Sequence, residues 1–318
     1  MNDLEPIPVA LSISTLGRPE GLRATLESLA AQRPAEGGVA FELCAVVANN
    51  DPDDPRPAAV AAEVAAATGL PIEVRHEPKR GIAPPRNLGL ATAIELVGPN
   101  GLVGFIDDDE IAPPGWLAEL LRVKAASGAG IVTGPVEPEF EEAPPAWIVE
   151  GGFFARARRA TGTRLPYAFT NNIVFDASLP SRLDRWFDDS FLRIGEDHHF
   201  FERLARTGAA IVWADDAVVV ERIPPRRANE TWIVERFRTV GRCMPMIVRD
   251  LRGGPHALAM STAKAMVWIP LGLGTTAAGL VAGTATRVRG RAWTAYGTGL
   301  LEGAWSPGRA GRPRTDDR

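Results

Sequence analysis

The chain has 318 residues, a formal net charge of −4 and 45 % hydrophobic residues. This length and composition can bury a full core, and they favour one large α/β domain with an appendage. The acidic balance argues against a nucleic-acid partner, which usually contacts a basic face. The two cysteines lie far apart in sequence and the first eight residues show no basic-then-apolar leader, so we expect a reducing cytoplasm.

Strand and helix patterns alternate through the first half of the chain. A strand over 8–15 is followed by a helix over 20–32, a strand over 41–48, a helix over 57–68 and a strand over 72–76. Alternation at this spacing predicts βαβ units and a mainly parallel sheet. In such sheets, ligands bind at the carboxyl ends of the strands, where the polar loops of this chain fall.

Four consecutive acids follow the short apolar strand predicted over 102–106, namely Asp107, Asp108, Asp109 and Glu110. A Pro-Pro-Gly sequence then introduces a helix at Trp116. Adjacent carboxylates repel one another, which favours a compensating cation. Their oxygens suit Mg²⁺ or Mn²⁺, which usually sit between a few carboxylates and substrate phosphates. The alternative is an acidic, solvated turn.

The acid stretch resembles the Asp-x-Asp signature of family 2 glycosyltransferases with the GT-A fold, with Asp107 and Asp109 as its two acids. Further segments similar to the family's motifs occur in the right order, at residues 14–19, 48–54, 80–89 and 195–208. The resemblance covers about residues 8–245. It implies an α/β GT-A fold, with a Rossmann-like, mixed but mainly parallel sheet flanked by helices.

The resemblance also implies a site for a nucleotide-diphosphate sugar, with a UDP-sugar as the first expectation. The implied donor-binding residues are Ser14, Thr15, Arg18, Asn49, Asn50, Arg80, Arg86, Asp107 and Asp108. Asn49 and Asn50 stand where the family usually has an acid first, but an amide still offers a donor and an acceptor. Arg86, at a predicted helix start, suits a diphosphate. Asp109, with Asp107, is the implied ligand of Mg²⁺ or Mn²⁺.

Glu196 and Asp197 open a predicted helix inside the segment that resembles the family's catalytic-base motif. An inverting transfer needs a carboxylate that takes the proton of the acceptor hydroxyl. We predict Asp197 as this base and Glu196 as the second candidate; a helix-capping role is the alternative. Asn171 and Asn172 resemble residues that line the acceptor side, and the alternative there is a turn.

Two further segments carry weaker expectations. The stretch 137–164 mixes acids, prolines, glycines and arginines, and we expect an irregular, flexible flap near the acceptor. Glu221 stands where many relatives have a histidine that ligates the metal. It could serve as that ligand or pair with Arg222, Arg226 or Arg227.

Residues 265–283 are uncharged and apolar, just short of a spanning helix. Pro270, Gly272, Gly274 and Gly279 are expected to break the stretch. It would form a membrane-lying or re-entrant hairpin with a basic flank at 287–291, or else a helical pair packed on the catalytic domain. We therefore expect a catalytic domain over 1–250, an apolar helical segment over 251–301 and a disordered tail over 302–318. The protein would be peripheral at the inner face of the plasma membrane.

The resemblance implies an inverting, metal-dependent hexosyltransferase that acts on a saccharide or lipid-linked acceptor, in cell-surface polysaccharide or glycolipid synthesis. The Gln-x-x-Arg-Trp motif of processive synthases does not occur in the sequence, which favours addition of a single sugar. Two alternatives stay open. A sugar nucleotidyltransferase would open with a glycine-rich loop and a lysine, unlike residues 12–19. A silent glycan-binding or scaffold protein would not need both Asp109 and Asp197.

Overall fold

The computed structural model describes residues 5–305. The chain divides into two compact units. The first comprises Met1–Glu137, Arg156–Asp189 and Asp197–Arg222, and the second comprises Pro138–Ala155, Ser190–Glu196 and Ile223–Arg318. The domain boundary expected at residue 250 falls inside a helix of the second unit, Glu230–Arg252.

Eleven strands and nine helices make up the described part of the chain. The strands are β1 Ile7–Thr15, β2 Phe41–Asn49, β3 Ile72–His76, β4 Leu102–Phe105, β5 Glu110–Ile111, β6 Ile131–Thr133, β7 Val136–Phe140, β8 Arg164–Leu165, β9 Ile173–Asp176, β10 Ile211–Trp213 and β11 Val219–Ile223. The helices are α1 Pro19–Ala30, α2 Arg56–Thr68, α3 Ala83–Val97, α4 Trp116–Ser127, α5 Ala146–Gly151, α6 Glu196–Arg206, α7 Glu230–Arg252, α8 Gly254–Ala282 and α9 Thr284–Trp305. A 3₁₀ turn covers Leu179–Arg182.

The main sheet has eight strands in the order β3-β2-β1-β4-β9-β6-β10-β8. Strands β3, β2, β1 and β4 run parallel, and β9 runs antiparallel to both of its neighbours. Thr15 lies opposite Asn49, and Ser12 lies opposite Phe105. The carboxyl ends of β1, β2 and β4 therefore meet at one edge, and the mixed, mainly parallel sheet predicted from the sequence is confirmed.

Two apolar cores cover the two faces of this sheet. One side of α1 is fully buried through Leu22, Leu26 and Leu29, whose spacing places them on a single helical face. On the other face, α3 packs through Leu90 and Ala93 into a core rich in phenylalanine. Burying each large side chain contributes about 1.5–3 kcal/mol. This packing holds the sheet edge, and therefore the polar loops that follow the strands, in place.

The segment 137–164 is more regular than the sequence predicted. It begins within β7 and contains α5, and it ends at β8. Strand β11 lies between β5 and β7 in a second, three-stranded sheet. The expectation of an irregular flap is therefore wrong for these elements, because β7 and β8 pair with strands far away in sequence and residues 146–151 form a helix.

In the second unit, α8 is one continuous helix of 29 residues, so the expected break at its proline and glycines does not occur. The glycines have a packing role instead. A Cβ on Gly272 would lie 2.5 Å from the backbone nitrogen of Thr294, and one on Gly279 would lie 2.3 Å from that of Arg287. Helix α9 can approach α8 this closely only because these side chains are missing. Residues 302–305, expected in a tail, belong to α9; the remaining tail lies outside the described residues.

Candidate functional site

The acidic loop is held at the end of β4 by backbone pairing. Glu110 and Ile111 form β5, which pairs antiparallel with Glu221 and Val220 of β11. The N–H of Arg222 donates to the carbonyl of Asp109 over 2.9 Å. Because the backbone on the C-terminal side of the loop is fixed in this ladder, the carboxylates are presented in a defined arrangement at the edge of the main sheet.

Asp108 is the buried centre of the loop. It is 5 % exposed and accepts hydrogen bonds from Thr15 Oγ1 at 2.8 Å and from Arg18 Nη1 at 2.9 Å. The same Arg18 nitrogen donates to Asp109 Oδ2 at 2.8 Å. Burial raises the pKa of Asp108 to about 6, and the neighbouring Asp109 and Asp107 add to this rise; Arg18 and Thr15 oppose it. The loop after β1 thus supplies a cation and a hydroxyl to the acids after β4.

Asp107 is the most accessible of the three aspartates, with 39 % of its side chain exposed. Its Oδ1 lies 3.3 Å from Nη2 of Arg86, which occupies the first turn of α3. The Arg86 side chain is only 10 % exposed. A nearly buried arginine at a helix N-terminus, beside an exposed carboxylate, forms a cationic position suited to a diphosphate.

Glu110 supports the loop from within. It is 1 % exposed, and it accepts a hydrogen bond from the backbone N–H of Asp107 over 2.9 Å. Burial raises its pKa well above the ordinary value, and Asp107 and Glu221 add to the effect. Glu221 in turn accepts from Arg156 Nη2 at 2.6 Å, so it pairs with an arginine that the sequence did not suggest.

The two asparagines after β2 are buried and bind their own chain. Asn49 donates to the carbonyls of Asp51 at 2.8 Å and Asp54 at 3.0 Å, and accepts from the N–H of Asp51. Asn50 donates to the carbonyls of Glu77 at 3.0 Å and Lys79 at 2.8 Å. Their exposures are 0 % and 3 %. The backbone of the loops after β2 and β3 engages these amides, which favours a structural role for them; that they bind the donor stays a prediction.

The other expected donor contacts are more accessible. Arg80 is 56 % exposed and its Nη2 lies 2.9 Å from a carboxylate oxygen of Asp51. Ser14 lies at the end of β1 and is partly buried, and its hydroxyl makes no hydrogen bond to any of the described residues. Arg80 and Ser14 therefore remain candidates for contact with a nucleotide.

The carboxylates of the acidic loop fit a divalent cation completed by a substrate. Within residues 5–305, no three metal-ligating side chains converge on one point. Mg²⁺ is usually held by only one or two carboxylates, with phosphate and water oxygens filling the other positions. Asp107 and Asp109 supply hard oxygen donors of this kind, with side chains 39 % and 17 % exposed.

Asp197 and Glu196 differ in burial at the start of α6. Glu196 is 0 % exposed, whereas Asp197 is partly exposed and its Oδ1 accepts from the N–H of His198 at 2.7 Å. Of the two acids, Asp197 is the one that a substrate could reach. His198 stacks on Tyr167, with ring centroids 3.8 Å apart, and burial lowers its pKa. No local sequence pattern indicates this stacking, because it joins residues 31 positions apart.

Asn172 is a core residue. Its exposure is 0 %, its Oδ1 accepts from Trp116 Nε1 at 2.8 Å, and its Nδ2 donates to the carbonyls of Pro135 at 2.8 Å and Ala217 at 2.7 Å. Burial and these hydrogen bonds favour a structural role for Asn172, and the expectation that it contacts an acceptor stays a prediction. Asn171 is partly exposed and stays a candidate.

Comparison with known proteins gave a family match and several structural neighbours. A model of glycosyl transferase family 2 matches residues 11–180. The mannosyltransferase PcManGT from Pyrobaculum calidifontis, solved with GDP-Man and Mn²⁺, has a TM-score of 0.59 and 20 % identity, over 94 % of this chain and 86 % of that chain. No curated protein matched the sequence.

Two structures of TarS from S. aureus show a similar relationship. The first has a TM-score of 0.55 and 16 % identity, covering 80 % of this chain and 42 % of that chain. TarS 1–349 in complex with UDP has a TM-score of 0.53 and 15 % identity, covering 93 % and 90 %. This chain therefore spans less than half of the longer TarS chain. Identities this low show a shared fold, which is the GT-A fold predicted from the motifs.

Proposed function

The chain belongs to glycosyl transferase family 2, and we propose that it transfers a hexose from a nucleoside-diphosphate sugar to a saccharide or lipid-linked acceptor. The family match makes it a nucleotide-sugar-dependent glycosyltransferase. The observation that carries the proposal is the acidic loop after β4, where Asp107 and Asp109 lie beside Arg86 and Arg18. Cell-surface polysaccharide or glycolipid synthesis is the proposed setting.

The arginines and the aspartates of the acidic loop would bind different parts of the donor complex. Arg86 would pair with the diphosphate, aided by the N-terminus of α3. Asp109 and Asp107 would hold Mg²⁺ or Mn²⁺, which when bound neutralises the charge of the leaving diphosphate as a Lewis acid. Structures of PcManGT and of GalNAc-T7 were solved with Mn²⁺, which supports this choice of ion.

Asp197 would act as the general base for the transfer. As the acceptor oxygen attacks the anomeric carbon, its proton passes to the carboxylate of Asp197 and the bond from carbon to the diphosphate oxygen breaks. One such displacement inverts the configuration at the anomeric carbon. The partial exposure of Asp197, against the complete burial of Glu196, supports assigning the base to Asp197.

A UDP-sugar is the proposed donor. TarS 1–349 was solved with UDP-GlcNAc and PcManGT with GDP-Man, so structural neighbours bind more than one base. Hydrolysis of a panel of UDP-, GDP- and dTDP-sugars with Mn²⁺ would test the choice. Turnover of a UDP-sugar is expected. Turnover of a GDP-sugar instead would show that the nucleobase of the donor is guanine and not uracil. No turnover of any donor would favour a silent glycan-binding protein.

Asp197→Asn tests the catalytic assignment. The amide keeps the size of the side chain and its hydrogen bond to the N–H of His198 but accepts no proton, so transfer should fall on the order of 10²–10⁴-fold while donor binding persists. Glu196→Gln is the matched control and should retain more transfer. Loss of transfer in Glu196→Gln with near-normal transfer in Asp197→Asn would identify Glu196 as the general base. Near-normal transfer by both variants would place the general base at another residue.

A further inference from the structure

Helix α8 presents a broad apolar surface. Six large hydrophobic side chains between residues 266 and 281 are exposed: Met266, Val267, Leu271, Leu273, Leu280 and Val281. Val281 is 96 % exposed and Leu280 is 78 % exposed. The other exposed large hydrophobic side chains of the described chain are scattered over separate elements. An apolar surface this continuous on a soluble protein usually marks a binding site. We call these six residues the α8 face.

The opposite side of α8 is covered by α9. Besides the close approaches at Gly272 and Gly279, a Cβ on Gly290 would lie 2.3 Å from the backbone nitrogen of Thr276, and one on Gly297 would lie 2.7 Å from Ile269. These pairs run in opposite directions along the two helices, so α8 and α9 form an antiparallel hairpin. The α8 face therefore lies on the side of α8 that α9 leaves uncovered.

The charge of the three C-terminal helices complements an anionic surface. Residues 230–305 contain nine arginines and lysines against four acids, a formal net charge of +5, whereas the whole chain carries −4. The remainder of the chain is therefore acidic, and an anionic membrane would attract the region 230–305. Tryptophan and tyrosine, which favour the membrane–water boundary, also meet here: Trp268 lies 5.6 Å from Trp293 and 5.9 Å from Tyr296 between ring centroids.

We propose that the α8 face docks on a bilayer with anionic headgroups, with α8 lying in the plane of the membrane surface. The occupant of this face is the boundary between headgroups and acyl chains, into which an amphipathic helix buries its apolar side. Lys264, the basic residue of α8 itself, is exposed and then lies near the anionic headgroups. The proposal does not depend on the donor, the acceptor or the catalytic base.

Helix α8 is long and apolar enough to cross a membrane, and only 17 % of an apolar segment of 18 residues within it is buried. Its pairing with α9 argues against crossing. Arg287 packs beside Gly279, near the C-terminal end of α8, and Gly290 packs beside Gly272, which places Arg289 and Arg291 closer to the middle of the apolar stretch. A crossing α8 would carry Arg289 and Arg291 of α9 into the hydrocarbon, where charged side chains are costly. The in-plane orientation keeps these arginines outside the hydrocarbon, on the side of α8 away from the α8 face.

Flotation of the full-length protein with vesicles tests the docking. Binding is expected to vesicles of phosphatidylglycerol and phosphatidylcholine, with at least about tenfold weaker binding to phosphatidylcholine alone. The double variant Leu273→Glu/Val281→Glu should lose about tenfold or more of the binding, because both side chains are exposed and belong to the α8 face. Leu96→Glu, at a 49 % exposed leucine of α3, is the matched control and should bind as the parent does.

Depth measurements distinguish an in-plane helix from a crossing one. Single cysteines at Val267, Leu273 and Val281, in a chain with Cys44→Ala and Cys243→Ala, would carry an environment-sensitive fluorophore. The outer two positions lie about 21 Å apart along the helix. Equal, shallow quenching depths at all three positions are expected.

Two results would overturn the proposal. A middle position much deeper than the two ends would mean that α8 crosses the bilayer. An absence of vesicle binding by the parent protein would mean that the α8 face has another occupant, and light scattering that shows a dimer lost in the double variant would identify it as a second copy of the chain. Retained donor hydrolysis in every variant separates a failure of docking from a failure of the proposed function.

Discussion

The loop after β4 and the loop after β2 lie at the same edge of the main sheet, one strand apart, and both are polar. Their side chains differ in exposure and in the groups that they bind. After β4, the aspartates are bound by arginines from elsewhere in the chain, Arg18 before α1 and Arg86 in α3, and Asp107 is partly exposed. After β2, Asn49 and Asn50 are buried and bind the backbone within 2–29 residues of themselves.

The difference follows from the chemistry of the two groups. An amide both donates and accepts, as the peptide backbone does, so backbone groups of neighbouring loops can satisfy its hydrogen bonds and allow it to be buried. An ionised carboxylate only accepts and carries a charge, so several together need cations from outside the loop. A polar residue in a motif position therefore indicates a ligand contact only when the surrounding chain leaves its hydrogen-bonding groups available.

The largest expected effect comes from Asp108→Asn. The pKa of Asp108 is raised from 3.8 to about 6, so the folded protein holds this proton more tightly than the unfolded chain does. This contribution to stability is fully present below about pH 4 and is lost as the pH rises through 6. Between pH 4 and pH 7, wild type should lose about 2.4 kcal/mol of unfolding free energy relative to the variant. Urea unfolding of both proteins at pH 4 and pH 7 measures this difference. The prediction is contradicted if the unfolding free energies of wild type and variant change in parallel with pH.

Asn50→Ala should have the next largest effect. The substitution leaves the carbonyls of Glu77 and Lys79 without their amide donor, and the free energy of unfolding should fall by about 2 kcal/mol at every pH. Asn171→Ala, at a partly exposed asparagine, is the control and should change it by about 0.5 kcal/mol or less. Equal stability of the two variants would show that the β2 loop does not depend on its amides.

Arg80→Ala should change stability least. Its ion pair with Asp51 is exposed on the arginine side, and such pairs contribute about 1 kcal/mol or less. If Arg80 contacts the donor, the variant binds nucleoside diphosphate more weakly, whereas Asp51→Ala, which breaks the same pair but keeps the cation, does not. Calorimetric titration would compare them, and equal affinities in the two variants would remove Arg80 from the donor site.

Local patterns were enough to predict much of the fold and part of the site. The strand-then-acid pattern correctly placed Asp107, Asp108 and Asp109 at a strand end, and the helix starts that carry Arg86 and Asp197 lie where the sequence predicted them. Each of these features depends on residues adjacent in sequence. Whether Asp109 ligates a metal or Asp197 accepts a proton stays a prediction.

The features that the sequence did not predict depend on long-range contacts. The side chain of Asn172 accepts a hydrogen bond from Trp116, which is 56 residues away. Glu221 accepts one from Arg156, which is 65 residues away. The glycines of α8 were expected to break the helix, but the packing of α9 against them uses the space they leave. No local sequence pattern predicts such partners. Ligand candidates could therefore be distinguished from structural residues only by their burial and hydrogen bonds in the folded structure.

The central claim is that the carboxylates after β4, and not the amides after β2, bind the donor. Titration of UDP and of GDP with and without Mn²⁺ into wild type, Asp109→Asn and Asn50→Ala tests it most directly. We predict that Mn²⁺ strengthens binding to wild type and to Asn50→Ala, and that Asp109→Asn binds at least about tenfold more weakly with Mn²⁺. An Asp109→Asn variant that keeps the full effect of Mn²⁺, with an Asn50→Ala variant that loses it, would contradict the claim.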